Sequence, residues 1–254
     1  MKMSIDLQRM TPAERLLWGY GVIEPSHIEL EAMAFDLGAE VIYRSLGGCE
    51  ARLVAWGDKA IISLNASSSA GRQRFSLAHE LAHWINDRDS GLYLCAKEDL
   101  EPRDIGAKVL EARANDFGSQ LILPNYLVDP RLKGQAATLD TASRLSAEFS
   151  TSLTAAAIKL ARRTNDPACL VCHSRTKLLW HQRSTRFPSD YYLRSELHQD
   201  TDAFQMAFGG TSGKSRVKTE PGSYWISHRE AGRLEVTTQS LRLPDGNVLS
   251  MISI

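Results

Sequence analysis

Residues 73–86 read Gln73-Arg74-Phe75-Ser76-Leu77-Ala78-His79-Glu80-Leu81-Ala82-His83-Trp84-Ile85-Asn86. Phe75, Ala78, Ala82 and Ile85 recur every three to four residues with no glycine or proline between them, so the stretch is predicted to be an amphipathic helix. Within it, His79-Glu80-Leu81-Ala82-His83 fits the pattern H-E-x-x-H. Helical spacing i, i+4 turns the two imidazoles onto one face, where both can reach a single metal ion. Glu80 sits one residue off that face and can address a water held there. Two surface histidines would meet the spacing equally well but would leave the intervening glutamate unexplained.

A catalytic zinc site takes three protein ligands and keeps a fourth position open. Two residues compete for the third place. Asp89 lies where H-E-x-x-H-x-x-G-x-x-H/D puts its last ligand, with Asn86 in the glycine position as a residue that tolerates the left-handed turn. Glu111 is the alternative. It lies on a second predicted helix, Asp104 to Leu123, in which Val109, Leu110, Ala114, Phe117, Leu121 and Ile122 recur at helical spacing and which Pro124 ends.

Glu111 also opens the run Glu111-Ala112-Arg113-Ala114-Asn115-Asp116-Phe117-Gly118-Ser119-Gln120-Leu121-Ile122-Leu123-Pro124. Together with Phe75-Ser76-Leu77-Ala78-His79-Glu80-Leu81-Ala82-His83, this resembles the ImmA/IrrE family of metallopeptidases. The resemblance covers roughly residues 25 to 164. It implies a zincin-like fold in which His79, His83 and Glu111 hold Zn2+, or Mn2+ or another divalent metal, with Glu80 as general base. Two neutral imidazoles and one carboxylate leave the metal a residual positive charge, which agrees with that chemistry. Asn115, one turn beyond Glu111, is expected to orient that carboxylate or to pack. Gly118 stands where the family usually has alanine, a departure expected to weaken the helix by about 1 kcal/mol and to matter little for the ligands. Tyr93 and Tyr126 are considered as oxyanion donors, with aromatic packing the better reading of each.

Around these helices, Ile23 to Gly38 is predicted to form one amphipathic helix with Ile28, Ala32 and Phe35 inward. Ala51–Trp56 and Lys59–Leu64 are two strands joined by Gly57 and Asp58, a tight hairpin and so a small antiparallel sheet. An extended substrate segment could add to the edge of the sheet containing Ala60 to Leu64. Leu139 to Thr164 forms two short helices, a helix-turn-helix-like pair. Beyond Pro167 the character turns to strands at 168–174, 177–184, 223–228, 233–243 and 247–254. The expected fold class is α+β: a zincin-like helix-rich domain over 1–130, a helix-turn-helix-like segment over 131–164, and a β-rich part over 165–254. Some members of the family carry a GAF-like sensory domain after the helix pair, and the resemblance admits a reduced version of it here.

Three other signals carry less. Cys169-Leu170-Val171-Cys172-His173 fits the haem-attachment pattern C-x-x-C-H, but on a strand residues three apart face opposite ways, so buried cysteines are expected. Gly209-Gly210-Thr211-Ser212-Gly213-Lys214-Ser215 misses the phosphate-loop pattern by one residue and has no preceding strand, leaving a loop bearing Lys214, Arg216 and Lys218. His173, His181, His198 and His228 share no ligand spacing and read as ordinary histidines.

The chain has 254 residues, 43% hydrophobic and 24% charged, with 30 basic and 30 acidic side chains and four cysteines. These values describe a folded chain with a sizeable core and no disulfide framework. No apolar run is long enough to span a membrane, and no secretory leader is visible, so the expected location is cytoplasmic. The net charge of zero is a cancellation: residues 1–130 hold 13 basic and 19 acidic side chains, residues 131–254 hold 17 and 11. Between residues 131 and 164, six basic side chains, Arg131, Lys133, Arg144, Lys159, Arg162 and Arg163, stand against two acidic ones, Asp140 and Glu148, so DNA contact is considered but not favoured. The expected function is a metal-dependent endopeptidase acting on a protein. By the resemblance, that protein is a helix-turn-helix repressor whose loss derepresses stress-response or mobile-element genes. The alternatives are a DNA-binding or sensor protein with a structural metal, and a broad-specificity cytosolic peptidase.

Overall fold

The computed structural model describes residues 7–87 and 105–254. The fold is α+β, and the chain divides into two compact units: Met1–Pro130 with Ala147–Ser152, and Arg131–Ser146 with Leu153–Ile254. No helix among the described residues is long and apolar enough to cross a membrane.

The first unit opens with α1 (Pro12–Gly19), capped by a reciprocal pair: the Thr11 hydroxyl accepts from the Glu14 N–H, and the Glu14 carboxylate accepts from the Thr11 N–H. The single helix expected over Ile23–Gly38 is shorter. Pro25–His27 forms a 3-10 turn, and α2 runs only over Leu30–Asp36. That later start shifts the helical phase, so Leu30, Met33 and Ala34 are buried, while Ala32 is exposed and Phe35, read as core-facing, is 79% exposed. Gly38 follows at φ +84, where a side chain would strike the Asp58 carbonyl oxygen.

Next come β1 (Ala39–Arg44), β2 (Ala51–Trp56) and β3 (Lys59–Asn65). The β2–β3 hairpin turns through Gly57 at φ +58 and is antiparallel as expected. The strand β1 was not anticipated; it pairs parallel with β3, giving the order β1-β3-β2. The sheet is therefore mixed, and β3 is its middle strand. An added segment cannot pair with Ala60–Leu64, because both edges of that strand are already taken.

The helices α3 (Ala70–Asp87) and α4 (Ile105–Ile122) pack on each other, and α3 also lies against β2 and β3. Buried residues surround most of α3, including Leu77, Ala78, Leu81, Ala82 and Trp84. On α4 the buried stripe is Ala114, Gly118, Leu121 and Ile122, whereas Val109, expected inside, is 53% exposed. A methyl built on Gly118 would lie 3.1 Å from the Ala78 carbonyl carbon and oxygen and from the His79 nitrogen. At that distance the facing backbone would have to give by a few tenths of an ångström to admit an alanine, so Gly118 marks a close approach of the two helices as well as a weak point of its own. After Pro124 the chain runs into α5 (Asn125–Leu132).

In the second unit, α6 (Leu139–Glu148) and α7 (Leu153–Arg163) are the expected helix pair; their connecting turn, with Ser150 at φ 49, belongs to the first unit. The strands are β4 (Ala168–His173), β5 (Leu178–Arg183), β6 (Tyr192–Leu193), β7 (Lys218–Pro221), β8 (Ile226–Ser227), β9 (Glu235–Arg242) and β10 (Val248–Ser253), with α8 (Asp202–Gly209) between β6 and β7. Five of them form an antiparallel sheet in the order β5-β4-β10-β9-β7. Sequence periodicity missed α8, β6 and β7, which are short. It also overextended 223–228, where only Ile226–Ser227 is strand and Ser223 and Tyr224 belong to a 3-10 turn. Every residue of β4 is buried, because Cys169 and Val171 enter a cluster with Ala203, Met206 and Ala207 of α8 while alternate residues face the side where α7 packs.

Candidate metal centre

Helix α3 carries His79 and His83 one turn apart, with ring centroids 4.8 Å from each other. Glu111 reaches them from α4. Its Oε2 lies 3.3 Å from His79 Nε2 and its Oε1 lies 3.3 Å from His83 Nε2. Among the described residues these three form a cluster able to hold a metal ion, with donor atoms all within 4.8 Å of one another. Ligands about 2.0–2.1 Å from zinc at tetrahedral angles stand about 3.3–3.4 Å apart, which the two histidine-to-carboxylate distances match. The buried His83 Nε2 has no well-directed hydrogen bond although the carboxylate is near, as suits a lone pair aimed at a cation.

Both Nδ1 atoms point away from that cluster to fixed partners. The His79 Nδ1–H donates to Asn115 Oδ1 at 3.1 Å, and the His83 Nδ1–H donates to Asp87 Oδ2 at 2.8 Å. Asn115 thus backs a histidine rather than the Glu111 carboxylate it was expected to orient. Its position on α4, one turn from Glu111, brings it level with His79 across the helix pair. Asp87 was missed altogether, although its i+4 spacing from His83 was visible in the sequence.

The adjacent rings of His79 and then His83 hold the Glu111 carboxyl well below the usual carboxylate range, with burial opposing. For His83, burial opposes the charged ring, but Glu111 and Asp87 outweigh it and its pKa is raised. Glu80 is 3% exposed and close enough to His83 for its charge to contribute to that rise. The site is therefore rich in carboxylates, which favours occupation by a cation.

The rival ligand Asp89 and the candidate donor Tyr93 lie outside the described residues. The turn that the Asp89 reading requires at Asn86 does not form: α3 continues to Asp87, and the Asn86 amide donates to the Ala82 carbonyl. Tyr126 is committed to packing, its hydroxyl donating to the Val22 carbonyl at 2.7 Å and its ring set edge-on against Trp18.

The other signals resolve into structure. Cys169 and Cys172 are buried on β4, and burial pushes their thiols up to about 12 and about 11. Gly210, at φ +73, caps α8, and Lys214 pairs with Asp140 and Ser143, so the glycine-rich loop ends a helix instead of cradling a phosphate. Within α7, Ala156, Ala157, Lys159, Leu160 and Ala161 are buried, while Arg162 and Arg163 at its end are exposed. The ring of His173 bonds the Arg194 carbonyl and that of His198 stacks on Tyr224.

Over 107 residues the chain is 31% identical to the radiation response metalloprotease IrrE of Deinococcus deserti, an alignment covering 42% of this chain and 38% of that relative's length. A structure described as a Mycobacterium tuberculosis transcriptional regulator shares the fold, with a TM-score of 0.60 at 14% identity over 95% of this chain and 85% of the other. The family Peptidase_M78, the IrrE N-terminal-like domain, matches residues 34–161, a span that contains both facing helices and all three clustered side chains, and the chain belongs to that family.

Proposed function

We propose that the chain is a metal-dependent endopeptidase that cleaves a protein, and that its substrate is a helix-turn-helix transcriptional repressor. The observation that carries the enzymatic reading is the donor set itself: among the described residues, two imidazoles on one helix and one carboxylate on the next gather, each Nε2 3.3 Å from a Glu111 oxygen. Two imidazoles and one carboxylate are the kind of set that a catalytic zinc takes while keeping a fourth position open. The repressor as substrate is carried by the family resemblance. It fits an acidic first half, which attracts a basic DNA-binding protein.

In this reading His79, His83 and Glu111 hold the cation, zinc or another divalent ion. When bound, the cation polarises the scissile carbonyl and lowers the pKa of a water toward roughly 7. Glu80, adjacent to His79 on the same helix, accepts the proton of the attacking water and returns it to the leaving amine. Burial of Glu80 beside His83 keeps that carboxylate in a fixed, water-poor position.

The second reading, a regulator with a metal that only supports structure, is favoured by the shared fold with a protein described as a transcriptional regulator. The Glu80→Gln variant separates the two, since it removes the base and leaves the three ligands. Loss of repressor cleavage with zinc content retained supports the peptidase, and full activity of that variant rules it out. Cleavage of unrelated unfolded proteins at the same rate as the repressor would instead support a broad-specificity enzyme.

A further inference from the structure

We propose that Asp87 is a positioning residue for the metal centre, fixing the ring of His83 so that its Nε2 faces the cation. The inference rests on the metallopeptidase reading above and deepens it. Asp87 Oδ2 stands 2.8 Å from His83 Nδ1, and the side chains of both residues are only 6% exposed. Burial removes the water that would solvate a carboxylate, and a hydrogen bond from the imidazole offsets part of that cost.

The chemistry follows from what each group can donate. An ionised carboxylate only accepts, so the proton between the two belongs to Nδ1. That selects the tautomer with a lone pair on Nε2, the atom 3.3 Å from Glu111 Oε1. Asp87 also holds the ring plane, because the pair spans one helical turn and both side chains are packed. His79 has a different partner, the neutral amide of Asn115 at 3.1 Å. The two ligands are thus backed unequally, and the charged support falls on His83.

The test measures the zinc affinity of the full chain by competition with a chromogenic chelator, alongside thermal unfolding of the metal-free protein. Asp87→Ala is expected to weaken zinc binding roughly 10–100-fold. Asp87→Asn, whose amide oxygen can still accept from Nδ1, is expected to lose less, and it serves alone if the alanine variant does not fold. Zinc affinity equal to wild type in the Asp87 variants, with only a lower unfolding temperature, would mean a merely structural role and would overturn the inference. Binding that needs His79 but ignores Asp87 overturns this inference alone, whereas wild-type protein that binds no zinc, or binds it equally well as His79→Ala, overturns the metallopeptidase reading as well.

Discussion

Gly118 of α4 faces the backbone of Ala78 on α3 so closely that a methyl group at 118 would lie 3.1 Å from the Ala78 carbonyl. The helix bearing Glu111 therefore approaches the helix bearing His79 so closely that an alanine would ask the facing backbone to give by a few tenths of an ångström. What must move is main chain in a buried helix, which yields less readily than the end of a side chain.

Gly118→Ala is accordingly expected to be no more stable than wild type. Alanine returns about 1 kcal/mol of helix propensity, but overpacking costs about 1–3 kcal/mol. Zinc affinity should fall, because Glu111 rides on the displaced helix. Denaturant unfolding and chelator competition measure the two effects. A variant stabilised by the full propensity difference with unchanged zinc affinity would show that the close approach is unimportant.

The choice of third ligand predicts a difference in metal-linked stability. Zinc at 100 times its dissociation constant adds about 2.7 kcal/mol to the folded state of a protein that binds it. Thermal unfolding with and without zinc should show this rise in wild type and in Asp89→Ala, and should lose it in Glu111→Ala. The opposite pattern would transfer the role to Asp89.

Strand pairing makes a sharper prediction than the hairpin alone allowed. Ile62 is fully buried in the middle strand, so Ile62→Pro breaks the sheet and is expected to unfold the first unit. A substrate strand would have to use an open edge, and β2 is the edge strand beside α3. The Asn65 N–H bonds the Glu50 carbonyl, and the pairing alternates from there, which leaves the Leu53 and Ala55 N–H groups facing outward. Ala55→Pro should keep the fold by circular dichroism and lower repressor cleavage at least about tenfold if substrate docks by strand addition. Undiminished cleavage would exclude that edge.

The second unit should weaken on acidification. Burial lowers the pKa of His173, partly offset by the Arg194 carbonyl, and burial with the Arg183 charge lowers that of His181. Both are neutral when folded and protonate more readily when unfolded. Their stabilising contribution is therefore present above the unfolded value near 6.5 and is lost as pH falls through the folded values. Hydrogen exchange of the β4 amides should accelerate between pH 7 and about pH 5, after correction for intrinsic rates. His173→Gln, which can still donate to the Arg194 carbonyl, should flatten that dependence, and a wild-type profile independent of pH would contradict it.

The sequence by itself determined whatever depends on neighbours along the chain. Helical spacing put His79 and His83 on one face with Glu80 beside them, Gly57 and Asp58 turned the hairpin, and Pro124 lay just past the end of α4. These follow from periods of about 3.6 and 2 residues and from the fixed geometry of glycine and proline. Even local reading failed where a turn reset the phase, as at Pro25–His27, which moved Phe35 from the expected core to solvent. Tertiary structure alone decided what depends on residues far apart. It brought Glu111 within 3.3 Å of both imidazoles, gave Asn115 to His79, and inserted β1 beside β3. It also turned Gly118 from a weak point of one helix into the contact between two. Such distances are set by how packed surfaces fit, and no periodicity along a single chain encodes them.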